Sequence, residues 1–198
     1  MTNIVRDITR RSMPIALAAS VEGPARPRRA VWAAYAACAW SFAFAALSFY
    51  WAAGGTAGVE TLGHALKEAA LASRPDPHLV PLLWATGAVK VLGALCALAL
   101  VRPWGQALPR RLLLIPAWLA GAGMVAYGGI PLVVNGLMLA GLLVIPGSVD
   151  WTAIRWHVVL WDPWWLLGGV LFVVAARSDQ RRSRPQPVAS SAGRGGVR

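Results

Sequence analysis

Four long runs of apolar sequence constrain this chain more than any other feature. A helix needs roughly 20 apolar residues to cross a hydrocarbon core about 30 Å thick. Val31 to Ala53 carries no charge, and Leu79 to Val101 carries one, Lys90. A third run begins at Leu112 and stays apolar to Pro146, and a fourth, from about Ile154 to Ala176, holds Asp162. In lipid every backbone amide needs a partner within its own segment, so each run is read as a helix. The chain is therefore expected to be an all-α polytopic membrane protein. Its four-transmembrane-helix bundle is placed at 31–53, 79–101, 112–134 and 154–176, within a domain spanning 31–177. The flanking basic tails, 1–30 and 178–198, are expected to be disordered. Ser178 to Arg198 is mostly Ser, Arg, Pro, Gly and Gln, with little to bury.

Composition agrees. Only 14% of the 198 residues are charged and 57% are hydrophobic, whereas a soluble domain carries about 25% charged residues. That excludes an ordinary water-soluble enzyme and a disordered chain. The net charge of +11 suggests a nucleic-acid partner until the charges are located. Both tails, with Arg177, and the loop 102–111 together hold fifteen Lys and Arg, and the loops 54–78 and 147–153, with Arg155, hold three. Positive charge stays inside, so both termini are expected to be cytoplasmic in a multi-pass protein of the cell membrane. Basic residues beside helix ends attract anionic lipid headgroups, at about 1 kcal/mol each; topology alone also accounts for them. No nucleic-acid partner is expected. The first run lacks a small-residue cleavage site at its end and is read as an uncleaved anchor. Trp32 and Trp104 fall at inner boundaries, and Trp51, Trp151 and Trp156 at outer ones, as interfacial aromatic residues do.

The third and fourth helices are expected to be interrupted. Leu112 to Pro146 as one helix would be about 52 Å long, so a break is placed at Gly128-Gly129-Ile130-Pro131. In the fourth, Asp162-Pro163 reads as an N-cap and first helical residue. That would leave an open helix N-terminus below the outer surface, able to receive a polar ligand.

The intramembrane polar residues are the candidate site. Lys90 lies 11 residues from either end of its run, about 16 Å deep, too far to reach water comfortably. Its burial costs at least about 2.5–3.5 kcal/mol, so it needs a partner. Asp162 is the one acidic residue in any crossing, and a Lys90–Asp162 contact is expected, direct or through water. It either pins helices two and four together or forms an outward-facing polar pocket with His157 and Asn135. Asn135 also reads as a partner for a freed helix carbonyl, and His157 as an interfacial anchor. Glu60, His64 and Glu68 are spaced four apart and form a candidate outer-loop polar face. A metal site there is weighed against the wet side of a helix lying on the headgroups, and the wet side is preferred.

Packing accounts for much of the rest. Ala34, Cys38, Ser41, Ala45, Ser48 and Ala52 form a seam of small residues on the first helix, and Thr86, Lys90, Gly93 and Ala97 one on the second. Cys38 and Cys96 lack metal or disulfide spacing. Phosphate-loop, zinc-protease, nucleophile-elbow and dinucleotide signatures are missing from the sequence, so no metal and no cofactor are expected.

Two segments resemble a known family. Trp51-Ala52-Ala53-Gly54-Gly55-Thr56-Ala57-Gly58-Val59-Glu60 looks like its first signature. Arg155-Trp156-His157, followed by Trp161-Asp162-Pro163-Trp164-Trp165-Leu166-Leu167-Gly168-Gly169, looks like its last. The family is the domain of unknown function 3995, a set of small four-span bacterial membrane proteins. The resemblance covers about residues 31 to 177. It implies the fold and no particular activity. The functional expectation is a small accessory or binding protein with an outward-facing polar pocket. A proton-coupled or solute transporter, for which a homo-oligomer would supply room, is one alternative. A membrane enzyme acting on a lipid-like substrate, with His157 and Asp162 as acid and base, is the other.

Overall fold

A computed structural model describes residues 28–63, 67, 68, 72, 77–144, 147 and 149–182. Helix α1 is Arg28–Ala52, α2 is Leu79–Ala99, α3 is Arg110–Leu139, α4 is Trp151–Trp156 and α5 is Asp162–Arg182. A π-helical segment, His157–Trp161, joins α4 to α5. The three pieces make one rod, so four helical rods are long and apolar enough to cross a membrane. The described residues contain no strand. The chain is all-α, with the make-up of a multi-pass membrane protein.

The rods alternate in direction. Ser41 faces Gly93 while Phe49 faces Gly87, so α1 and α2 run antiparallel. Gly121 faces Val173, Gly128 faces Asp162, and Arg110 reaches Asp179, so α3 and α5 do the same. The two pairs meet mainly where α1 packs on α5, whereas α2 and α3 touch little. The end of α1, the start of α2 and α4 therefore share one end of the bundle (the loop end). The start of α1 and the end of α5 share the other (the terminal end).

Small residues make this packing possible. The seam read on the first helix, Ala34, Cys38, Ser41, Ala45, Ser48 and Ala52, is buried throughout. On α5 the adjacent glycines divide the work. A Cβ on Gly168 would overlap the Trp40 indole of α1, and one on Gly169 would lie 2.6 Å from the Val125 backbone nitrogen of α3. That pair lets α5 sit between two helices at near-backbone contact. The outer surface is apolar instead: Val89, Leu92, Leu119, Ile130, Val133 and Val159 are all more than 60% exposed. A soluble monomer rarely shows so continuous an apolar face.

The boundaries differ from expectation in instructive places. α3 is unbroken across Gly128-Gly129-Ile130-Pro131, with Pro116 and Pro131 inside it. The glycines serve contact with α5 rather than a turn, because a Cβ on Gly128 would lie 2.5 Å from the Asp162 carbonyl oxygen. α5 continues to Arg182, past the expected helix end at residue 176, anchored by the Arg110–Asp179 ion pair. The remainder of both tails lies outside the described residues.

Candidate functional site

Pro163 shapes the site. A proline ring clashes with the carbonyl four residues back and supplies no N–H for it. Here the turn before Pro163 widens, and the Asp162 N–H bonds to the His157 carbonyl five residues back. Such π turns recur at functional sites. The wider turn also brings side chains five apart onto one face, which an α-helix of 3.6 residues per turn does not. His157 Nδ1 consequently lies 2.9 Å from Asp162 Oδ1. The expected cap and open N-terminus at Asp162-Pro163 do not form, since Asp162 has helical dihedrals and the rod continues through it.

Asp162 is 2% exposed, and both its oxygens are engaged. Oδ1 faces His157, and Oδ2 accepts from Asn135 Nδ2 at 3.1 Å. Asn135 thus bonds the carboxylate of α5, not a freed carbonyl of its own helix. An ionised carboxylate only accepts, so facing one the imidazole takes the tautomer with its proton on Nδ1. The His157 side chain is 35% exposed and Nε2 is left as its second functional atom. A buried carboxylate fixing the tautomer of a half-exposed histidine is the arrangement that prepares an imidazole to accept a proton or a ligand.

The loop end closes over the neighbouring turn. Trp161 Nε1 donates to Thr61 Oγ1 at 3.0 Å, and its ring lies 5.8 Å from that of Trp51. Trp51 Nε1 in turn donates to the Ala57 carbonyl at 2.9 Å. Residues 57–61 of the first connection therefore fold back onto the π segment. The expected helical face of Glu60, His64 and Glu68 is not continuous. Glu60 lies in a 3-10 turn, Val59–Thr61, and Gly63 has a φ of +97°, which no right-handed helix allows. Glu60 and Glu68 are exposed, and His64 lies outside the described residues. Among the described residues no three His, Cys, Asp or Glu side chains converge.

Lys90 belongs elsewhere. The expected direct Lys90–Asp162 pair is not formed. Lys90 Nζ donates to Ser48 Oγ at 2.6 Å and sits 3.9 Å from the Phe44 ring centroid. Ser48 Oγ passes its own hydrogen to the Phe44 carbonyl at 3.3 Å. The Trp165 ring centroid, one turn along α5 from Asp162, is 5.9 Å from Nζ. A charged hydrogen bond contributes about 1.5–3 kcal/mol, and a desolvated cation–π contact about 2 kcal/mol. Together they match the cost of placing the ammonium there. Ser48 and Phe44 carried a signal in the sequence, since both sit one helical turn apart on α1, but the small-residue seam explained Ser48 without a ligand role.

Asp162, His157 and Asn135 thus form one cluster, Lys90 a separate lock between α1 and α2, and Glu60 and Glu68 neither. A family profile described as Protein of unknown function (DUF3995) matches residues 41–172. No curated protein and no solved structure matches the chain.

Proposed function

The chain belongs to the family of unknown function 3995, and from that premise we propose that it is a small binding or accessory protein of the bacterial cell membrane. Its termini are cytoplasmic, and its working site is the Asp162–His157–Asn135 cluster, opening toward the outer face. The observation that carries this reading is the fully engaged Asp162 carboxylate behind a half-exposed imidazole. A carboxylate buried merely for packing would be better replaced by an apolar group. Holding His157 Nδ1 keeps Nε2 available to a ligand donor or a proton.

The same dyad favours one second reading, acid–base chemistry on a lipid-like substrate, with His157 as the group that takes the proton. The transporter alternative draws no support from α3, whose unbroken course lacks the half-helix ends such sites use.

Chromosomal His157→Gln and Asp162→Asn variants test the site against a deletion of the chain, with protein level measured in the same membranes. A working site predicts that both variants reproduce the deletion phenotype at undiminished level. Wild-type behaviour at normal level would reduce the cluster to a structural tie and overturn the proposal. Within a working site, a lipid species that accumulates in both variants favours the enzyme over the binding protein.

A further inference from the structure

The terminal end of the bundle carries a second polar feature. After α2 the chain extends at Arg102 and makes a 3-10 turn, Pro103–Ala107. The Arg102 N–H bonds to the Leu98 carbonyl, and the Gly105 N–H to the Arg102 carbonyl, both at 3.1 Å. Gly105 lies so close to the Ala99 carbonyl that any Cβ would overlap it. The turn is thereby held against the end of α2. Between it, the start of α3 and the last turns of α5 lies a cavity of about 330 Å³. Arg102, Gln106, Arg110 and Asp179 supply its polar lining, and Leu100 and Leu113 part of its apolar wall.

The charges in this cavity are not balanced. Arg110 Nη2 lies 2.6 Å from Asp179 Oδ2 and also donates to the Asp179 carbonyl. Arg102 makes no ion pair among the described residues; its guanidinium rests 5.8 Å from the Tyr35 ring centroid. The described lining thus carries two guanidinium groups against one carboxylate, beside an amide donor and an apolar wall. Guanidinium groups match phosphate oxygens in geometry, and basic pockets between helices on the cytoplasmic side take lipid headgroups.

We propose that this cavity binds the phosphate of an anionic membrane lipid, with the apolar wall receiving the start of an acyl chain. The inference rests on the membrane topology proposed above, which sets the cavity at the cytoplasmic leaflet. A free phosphate ion shares the charge but leaves the apolar wall unused, so the lipid is the source favoured. A zwitterionic lipid brings its own cation against Arg102 and is disfavoured.

The full-length chain in mild detergent tests this by native mass spectrometry, with phosphatidylglycerol and phosphatidylcholine of matched acyl chains. Thermal unfolding with inorganic phosphate is a parallel arm. Loss of one charged hydrogen-bonding group corresponds to about a tenfold change in retention. Phosphatidylglycerol is therefore expected to be retained about tenfold better than phosphatidylcholine, a preference Arg102→Gln removes. Arg155→Gln, at the loop end, leaves it intact. Asp179→Asn removes the carboxylate that neutralises Arg110, while the bond to the backbone carbonyl stays, and raises retention, which keeps the test open if the Arg102 variant fails to fold. Equal retention of both lipids, or a preference indifferent to Arg102→Gln and Asp179→Asn, would overturn the inference. So would Arg102-dependent stabilisation by inorganic phosphate without lipid selection. If alkaline carbonate strips the chain from native membranes, the topology itself fails; if the chain stays and no selection appears, this inference alone fails.

Discussion

Lys90 and Asp162 are satisfied by different neighbours, the lysine by Ser48 and Phe44 and the carboxylate by Asn135 and His157. Depth along a helix follows from counting at 1.5 Å per residue, and it correctly required that a charge so far from either end have partners. Azimuth does not follow from counting, because it depends on how the rods are rotated against each other. Lys90 turns toward α1, where Ser48 and Phe44 satisfy it, and Asp162 turns toward Asn135 and His157. Two sites without a direct contact or shared partner should be energetically independent within about 0.5 kcal/mol. Lys90→Met removes a buried charge while Ser48 keeps the Phe44 carbonyl, so its own cost should stay below about 1 kcal/mol. Asp162→Asn weakens bonds to a charged acceptor and should cost about 1.5–3 kcal/mol. Unfolding of both single variants and the double in detergent reads the coupling. Additive losses are expected, and recovery in the double variant would show that the two charges do pair.

At the scale of elements, the existence and number of the helices were legible because apolar length is a strong signal, but their continuity was not. Gly128, Gly129 and Pro131 look like a break in isolation, since glycine frees the backbone and proline removes a donor. The packing reverses that reading: α3 keeps its glycines for α5, and the irregularity falls at the π turn before Pro163. That turn was invisible because it requires one extra residue in a pattern that otherwise reads as helix. The two roles of glycine can be separated by substitution. At Gly128 a Cβ meets the Asp162 carbonyl oxygen at 2.5 Å and the Leu166 nitrogen at 2.7 Å, backbone that cannot swing aside. Gly128→Ala should therefore destabilise by about 1–3 kcal/mol. At Gly123 a Cβ meets nothing within 4 Å, and Gly123→Ala should be neutral or gain up to about 1 kcal/mol from helix propensity. Thermal unfolding of the two variants side by side decides it; equal losses would mean that α3 does not contact α5 at Gly128.

For the whole molecule, two signals of different origin converge on one arrangement. Charge counting puts both tails and the 102–111 loop on one side, and the alternating rods independently bring the start of α1, that loop and the end of α5 to one end of the bundle. The family signatures also gain a spatial meaning. Trp51 and Trp161, far apart in sequence, meet with tilted rings at the loop end, next to the buried dyad. The polar cluster and the arginine-lined cavity then lie at opposite ends of one short bundle, which the proposed threading assigns to opposite sides of the bilayer. Threading can be measured without knowing the function. A reporter active only in the cytoplasm, fused after Arg198, should be active, and the same reporter inserted after Gly147 should be silent. An externally added, membrane-impermeant thiol reagent should label Gly147→Cys in intact cells carrying Cys38→Ala and Cys96→Ala, and should not label Gln106→Cys until the cells are opened. Labels exchanged between those two positions would invert the bundle, place His157 toward the cytoplasm, and remove the outward-facing site while leaving the helix packing as it stands.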